Sequence, residues 1–494
     1  MSYHNIRQIF LNTHALNNKL KLIILTSCIY VYFTGPIYAE ANHPERAGIG
    51  IVDPEERKRQ VTWNTPSVQG FSILSNSDKN FIDHEKSLLI TNTEMLAKIR
   101  LSELLRTLVS SSSSTNSSAE ELLTNVVQNI CGTGCPRDIK NIDTHFRTIA
   151  AVNRFDLAER DNFTTCGEYR LIFSYIALTP TDKDTKQVSV IFETKPKNPT
   201  AEKKEESCLP VTNFWRSLTF KNPKEISESL SKFFFEGLEI DGVEILPAIA
   251  IENLGYGTVE PRGQIRVVVN KNDWAFHEYH LGRKNKKLVL KKTTVKGVPK
   301  PSILKQIGDS TTPTKHGDLS KFVKEVTDQI KKLSKDDINR FSFTIKNKNL
   351  LSQRHTSSIS ARKNQDIFKA FALRADNSSY IVETIDNELR KNSIALKTKH
   401  IVARIGALTC AGCHRYASRS HDRSYPYDMG LQEGKWFSDH NHQHVAFTKN
   451  HGVYRTSLST ALKCRILPHR LEVLKIHLRL KLTAKDKLLY KDCK

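Results

Sequence analysis

The chain has 494 residues, with 75 Lys and Arg against 52 Asp and Glu, for a formal charge of +23. That length buries a sizeable core and suits two or three domains. The positive field favours acidic partners, and beyond the N-terminus no apolar stretch approaches membrane length, so the mature chain is expected to be soluble.

The N-terminus reads as an export signal. Lys19 and Lys21 precede an apolar run over 22–33, Gly35-Pro36 breaks it, and Ile37-Tyr38-Ala39 offers a cleavage site after Ala39. Two other readings compete: an uncleaved anchor, and a lipoprotein box at Leu25-Thr26-Ser27-Cys28, which the apolar run overshoots. Cleavage leaves a periplasmic or secreted chain without a transmembrane segment, charged near +20 and with eight of its nine cysteines.

Residues 40–140 form a helical N-terminal segment. Thr91-Asn92-Thr93-Glu94 reads as a capping box, with Met95, Leu96, Ile99, Leu104, Leu105 and Leu108 on one helix face. A serine-rich linker over 110–118 leads to a second cap, Ser118 with Glu121, ahead of Leu122, Val126 and Ile130. Residues 141–300 turn β-rich, with strands expected over 169–176, 188–192, 264–269 and 288–295. Trp215 and Phe233-Phe234-Phe235 are expected in their core. Asn153-Arg154-Phe155-Asp156-Leu157 and Cys166-Gly167-Glu168-Tyr169-Arg170 read as a buried Arg–carboxylate network rather than a catalytic site.

A basic linker region over 301–365 carries Pro301 and Pro313 and one helix over 320–333. Residues 366–494 are read as helical. Ile367, Phe368, Phe371, Leu373, Ile381 and Ile385 mark helices, and a helix over 398–408 places Ile401, Ile405 and Leu408 on one face. That helix leads directly into Cys410-Ala411-Gly412-Cys413-His414.

C-x-x-C-H is the attachment signature of c-type haem. Two thiols separated by two residues reach the two porphyrin vinyl groups, and the adjacent imidazole meets the iron. Competing readings are a disulfide or redox dithiol of Cys410 and Cys413, three ligands of a zinc site, and coincidence. Haem leaves six cysteines, an even number suited to three disulfides. Sequence neighbours favour Cys131–Cys135, Cys166–Cys208 and Cys464–Cys493.

Five stretches occur in a suggestive order: Val152-Asn153-Arg154-Phe155-Asp156-Leu157, Cys166-Gly167-Glu168-Tyr169-Arg170, Gly263-Gln264-Ile265-Arg266, Ala407-Leu408-Thr409-Cys410-Ala411-Gly412-Cys413-His414 and Leu467-Pro468-His469-Arg470. Together they resemble a group of uncharacterised exported bacterial proteins over residues 145–470. The resemblance implies no activity. The C-x-x-C-H alone resembles the cytochrome c attachment loop. A cytochrome c distal methionine normally lies well downstream, whereas Met429 is close to the motif. His440, His442, His444 and His451 are the candidate distal ligands, which gives bis-histidine iron. Incidental histidines, or a separate divalent-metal site, are the competing readings.

The expectation is an α+β chain: a helical N-terminal segment, a β-rich central domain and a helical, cytochrome c-like C-terminal segment. It holds one covalent haem c through Cys410, Cys413 and His414, and serves electron transfer or redox sensing. No catalytic residue is assigned. The expected partner is an acidic redox protein or an anionic cell-surface polymer, and nucleic acid is not expected. The alternative is a non-enzymatic envelope or surface-binding protein whose Cys2His segment is structural or metal-binding.

Overall fold

Strands of alternating apolar and polar residues dominate the middle of the chain. The computed structural model describes residues 82–112, 116–131, 141–158, 163–175, 187–200, 205–256, 263–270, 274–293, 299–300, 302–303, 317–335, 343–351, 356–359, 380–408, 429–430, 445–450, 453–459 and 462–481. The strands are β1 (Leu89–Ile90), β2 (Phe146–Arg154), β3 (Glu168–Tyr175), β4 (Gln187–Thr194), β5 (Leu238–Ile240), β6 (Val243–Ile245), β7 (Gln264–Asn270), β8 (Trp274–Lys284), β9 (Lys287–Thr293), β10 (Thr356–Ile359), β11 (Val445–Asn450) and β12 (Val453–Leu458). Eight of them form one antiparallel sheet in the order β1-β2-β3-β4-β7-β8-β10, with β9 also on β8. The hairpins β5–β6 and β11–β12 stand apart from it. With the helices, the architecture is mixed α+β.

Register sorts the sheet into two faces. Tyr169, Leu171 and Phe173 of β3 lie opposite Thr194, Phe192 and Val190 of β4. Phe192 and Val190 in turn face Ile265 and Val267 of β7. These residues are buried. Helices α1 (Leu101–Ser110), α2 (Ala119–Cys131), α3 (Leu209–Ser217) and α4 (Pro223–Ser231) contribute to the same core. Trp215 of α3 stacks on Tyr169 at 5.8 Å, and Phe233 meets Tyr169 edge-on at 5.0 Å. The aromatic residues expected in the core are therefore there.

Local chemistry fixes several ends. Ser118 and Glu121 make the expected capping box at α2: the Glu121 N–H donates to Ser118 Oγ, and Glu121 Oε2 accepts from the Ser118 N–H. Upstream, Asn92 rather than Thr91 accepts the first N–H groups, from Glu94 and Met95. Residues 93–98 form turns, so α1 starts only at Leu101. Pro223 opens α4 behind a capping box of Asn222 and Glu225.

A second core is helical. It joins α5 (Asp318–Asp328), α6 (Tyr380–Lys391) and α7 (Thr398–Leu408) through Leu319, Phe322, Val326, Ile381, Ile385, Leu389, Ile401 and Ile405. The helix expected over 320–333 is interrupted at Gln329. Its side chain instead holds Thr344, donating to the Thr344 carbonyl at 2.8 Å and accepting from its N–H at 3.1 Å. A short helix, Ile330–Leu333, follows.

Beyond residue 366 the described chain holds the β11–β12 hairpin as well as helices. The last helix, α8 (Leu467–His477), returns to the first core with Leu467, Leu471 and Leu474, and packs on the turn Phe155–Leu157. Among the described residues no helix is long and apolar enough to cross a membrane.

One expected disulfide is formed. Cys166 and Cys208 are bonded with Cα atoms 5.4 Å apart, tying the entry of β3 to the start of α3. Cys464 is also disulfide-bonded. Cys135 and Cys493, the expected partners of Cys131 and Cys464, lie outside the described residues.

Candidate functional site

The sheet face opposite the aromatic core carries charge. Alternation places Arg154 on β2, Glu168 and Arg170 on β3, Glu193 on β4, Gln264 and Arg266 on β7, and Glu278 and His280 on β8. Register makes Arg154 face Glu168, Arg170 face Glu193, and Arg266 face Glu278. The pairs connect sideways. Glu193, fully buried, lies 3.2 Å from both Arg170 and Arg266 and accepts from Gln264 at 2.6 Å. Arg170 also reaches Glu168 at 2.6 Å, and Arg266 reaches Glu278 at 3.5 Å.

At the β2 end, Arg154 grips Asp156 in a fork. Nε donates at 3.0 and 3.2 Å and Nη2 at 2.8 Å. Arg470, brought by α8, stands 3.6 Å from the same carboxylate. Burial alone would push the Asp156 carboxyl up, but the Arg154 and Arg470 guanidiniums hold it well below the usual carboxylate range. Burial likewise opposes ionisation of Glu168, and Arg170, Arg154 and Arg266 reverse that. A general base needs a proton affinity near ambient pH. Asp156 and Glu168 are held ionised by cations, which suits a clamp across the strands rather than proton transfer.

Two glycines make room for this clamp. Gly167 has φ 97°, and a side chain there would meet the Arg154 carbonyl at 2.6 Å. A Cβ on Gly263 would stand 2.0 Å from the Asn253 carbonyl oxygen and 2.5 Å from that of Glu193. Four of the five stretches singled out in the sequence thus converge here: residues 152–157, 166–170, 263–266 and 467–470.

The fifth stretch begins at the end of α7. Helix α7 starts where Asp386 of α6 accepts from the Thr398 N–H at 3.2 Å and its hydroxyl at 2.6 Å. It spans Thr398–Leu408, the helix expected from its apolar face, and Leu408 lies two residues before Cys410 in the sequence.

Within α7, fully buried Arg404 was not singled out from sequence. Its Nη1 donates to the carbonyls of Leu333 at 2.7 Å and Lys335 at 2.9 Å. Its Nε donates to the Met429 carbonyl at 2.8 Å and its Nη2 to that of Gly430 at 3.2 Å. Arg404 thus bonds Met429 and Gly430, 25 and 26 residues further along the chain, on the far side in sequence of Cys410, Cys413 and His414. A charged donor anchored among apolar Ile401, Val402 and Ile405 was the available signal.

Cys410, Cys413 and His414, and the candidate distal ligands His440, His442, His444 and His451, lie outside the described residues. Met429 is described and buried. Among the described residues no group of three or more His, Cys, Asp or Glu is placed to hold a metal ion. Compared with known protein families, curated proteins and solved structures, the chain matches none.

Proposed function

We propose that this chain is an exported c-type haem protein acting in electron transfer or redox sensing. The observation that carries the reading is the donor set of Cys410-Ala411-Gly412-Cys413-His414: two thiols at vinyl spacing with an imidazole adjacent. In this reading Cys410 and Cys413 attach the porphyrin and His414 is the proximal ligand. One of His440, His442, His444 or His451 is the distal ligand. Bound there, haem supplies one-electron exchange between ferrous and ferric iron.

Two described features support it. Arg404 of the helix that precedes the motif donates to the carbonyls of Met429 and Gly430, which follow it. The Cys166–Cys208 disulfide suits an oxidising compartment, where c-type haem proteins mature. The apolar run over 22–33 with cleavage near Ala39 supplies the export route. The segment over 366–494 is then the cytochrome c-like part of the chain, and an acidic redox protein or an anionic cell-surface polymer its partner.

The test is a visible spectrum of the full chain, exported in cells with a c-type maturation system. A haem band is expected, low-spin in the ferric state and without a methionine–iron charge-transfer band. Changing each of the four histidines to Ala should convert one variant, and only one, to high spin. Four unchanged low-spin spectra place the distal ligand elsewhere. Protein without a haem band overturns the reading and leaves the envelope-binding alternative.

A further inference from the structure

The hairpin β8–β9 ends in a two-residue turn, Asn285-Lys286, with φ 50° and 59°. A turn with both central residues at positive φ is type I′, where Gly is preferred at the second position. The hairpin β5–β6 makes the same kind of turn with Asp241-Gly242, at φ 52° and 74°. At the β8–β9 turn the chain keeps a lysine where backbone strain argues against any side chain.

The strain sits at the apex of a cationic hairpin. Residues 283–287 are all exposed, as are Lys291 and Lys292. Among the described residues Lys287 pairs with Glu121, while Arg283, Lys284, Lys286, Lys291 and Lys292 have no acidic partner. Alternation puts Lys284, Lys287 and Lys291 on one face, Arg283 and Lys292 on the other, and Lys286 at the tip. The apolar members Leu281, Leu288 and Leu290 are buried. The apex is also held in place, because the Asn116 N–H donates to the Lys286 carbonyl at 2.8 Å.

We propose that this hairpin docks on an anionic bilayer, its cations entering the layer of headgroup phosphates. A protein's acidic face would meet cations on one side of the hairpin, whereas Arg283 and Lys284 lie on its two faces beside the turn and Lys286 lies at the turn itself. A wrapping polyanion would need cations in a line, whereas these cluster at one turn. The absence of an exposed apolar side chain on the tip limits the contact to the headgroup layer, without insertion into hydrocarbon.

The experiment is co-sedimentation of the full chain with phosphatidylcholine vesicles, with and without phosphatidylglycerol. Binding is expected only with phosphatidylglycerol and should fall with added salt. Lys286→Gly should weaken binding about fivefold, the worth of one cation near an anionic surface. The same change should raise the melting temperature, because it relieves the turn. Lys284→Glu with Lys286→Glu should weaken binding further. Lys331→Glu with Lys397→Glu, the same charge change placed elsewhere, should leave binding near wild type. The proposal is overturned if hairpin variants bind like wild type, or if the control pair weakens binding equally. Retention on a sulfated polymer, or capture by an acidic protein, with no vesicle binding would also overturn it.

Discussion

Changing Asp156 to Asn tests the clamp on the sheet. The carboxylate is 2% exposed, gripped in a fork by Arg154 and faced by Arg470 at 3.6 Å; those side chains are only 9% and 7% exposed. Removing its charge leaves two buried guanidiniums without their shared counter-ion. Breaking a buried pair in this way costs about 3–5 kcal/mol. That is about a fifth or more of the 5–15 kcal/mol that holds a typical domain together. Urea denaturation of D156N at neutral pH should show the loss. Replacing Arg154 and Asp156 together by Met and Leu should cost less than D156N alone, because one buried guanidinium, that of Arg470, is then left without Asp156 instead of two.

The pH dependence has a definite sign. The folded-state pKa of Asp156 is depressed below its unfolded value of about 3.9. Its stabilisation is therefore complete above the unfolded value and is lost as pH falls through the folded one. The gap between wild type and D156N should narrow on acidification below about pH 4. A cost under about 1 kcal/mol at neutral pH, the level of an exposed pair, would refute the clamp. So would a gap that does not change with acid.

Two other outcomes follow from the geometry. Replacing Cys166 and Cys208 by Ala opens a link across 42 residues and should cost about 4 kcal/mol by chain entropy, read by urea denaturation. An unchanged midpoint would contradict a structural role for that bond. Arg404→Met takes the charged donor from four carbonyls and should destabilise the second core by about 3 kcal/mol. Faster hydrogen exchange in α7 should accompany it, and exchange at the wild-type rate would show that the anchor is idle.

The sequence readings succeeded where the signal was local. Strands β3, β4, β7 and β9 and helix α7 follow from period-two and helical patterns, and the cap of α2 from Ser118 and Glu121. Strand β2 was missed because Ile149-Ala150-Ala151-Val152 breaks the apolar–polar alternation and its two alanines have low β-propensity. Strand β8 was missed because His277, Glu278 and His280 interrupt its apolar pattern. Those polar residues lie near or within the charged network, which only register between distant strands assembles. Arg154 and Asp156 were legible as a pair, whereas Arg470 joins them from more than three hundred residues away. Gln329 shows the same limit: a good helix former ends α5 because residue 344 claims its side chain.

The central claim is covalent haem on Cys410 and Cys413. The most direct measurement is mass spectrometry of the proteolytic peptide spanning 410–414, from chain exported with a c-type maturation system and extracted with acid–acetone. A peptide carrying one haem after extraction is the predicted result, with less haem retained by Cys413→Ser. An unmodified peptide, with its two cysteines free or bonded to each other, would contradict the account.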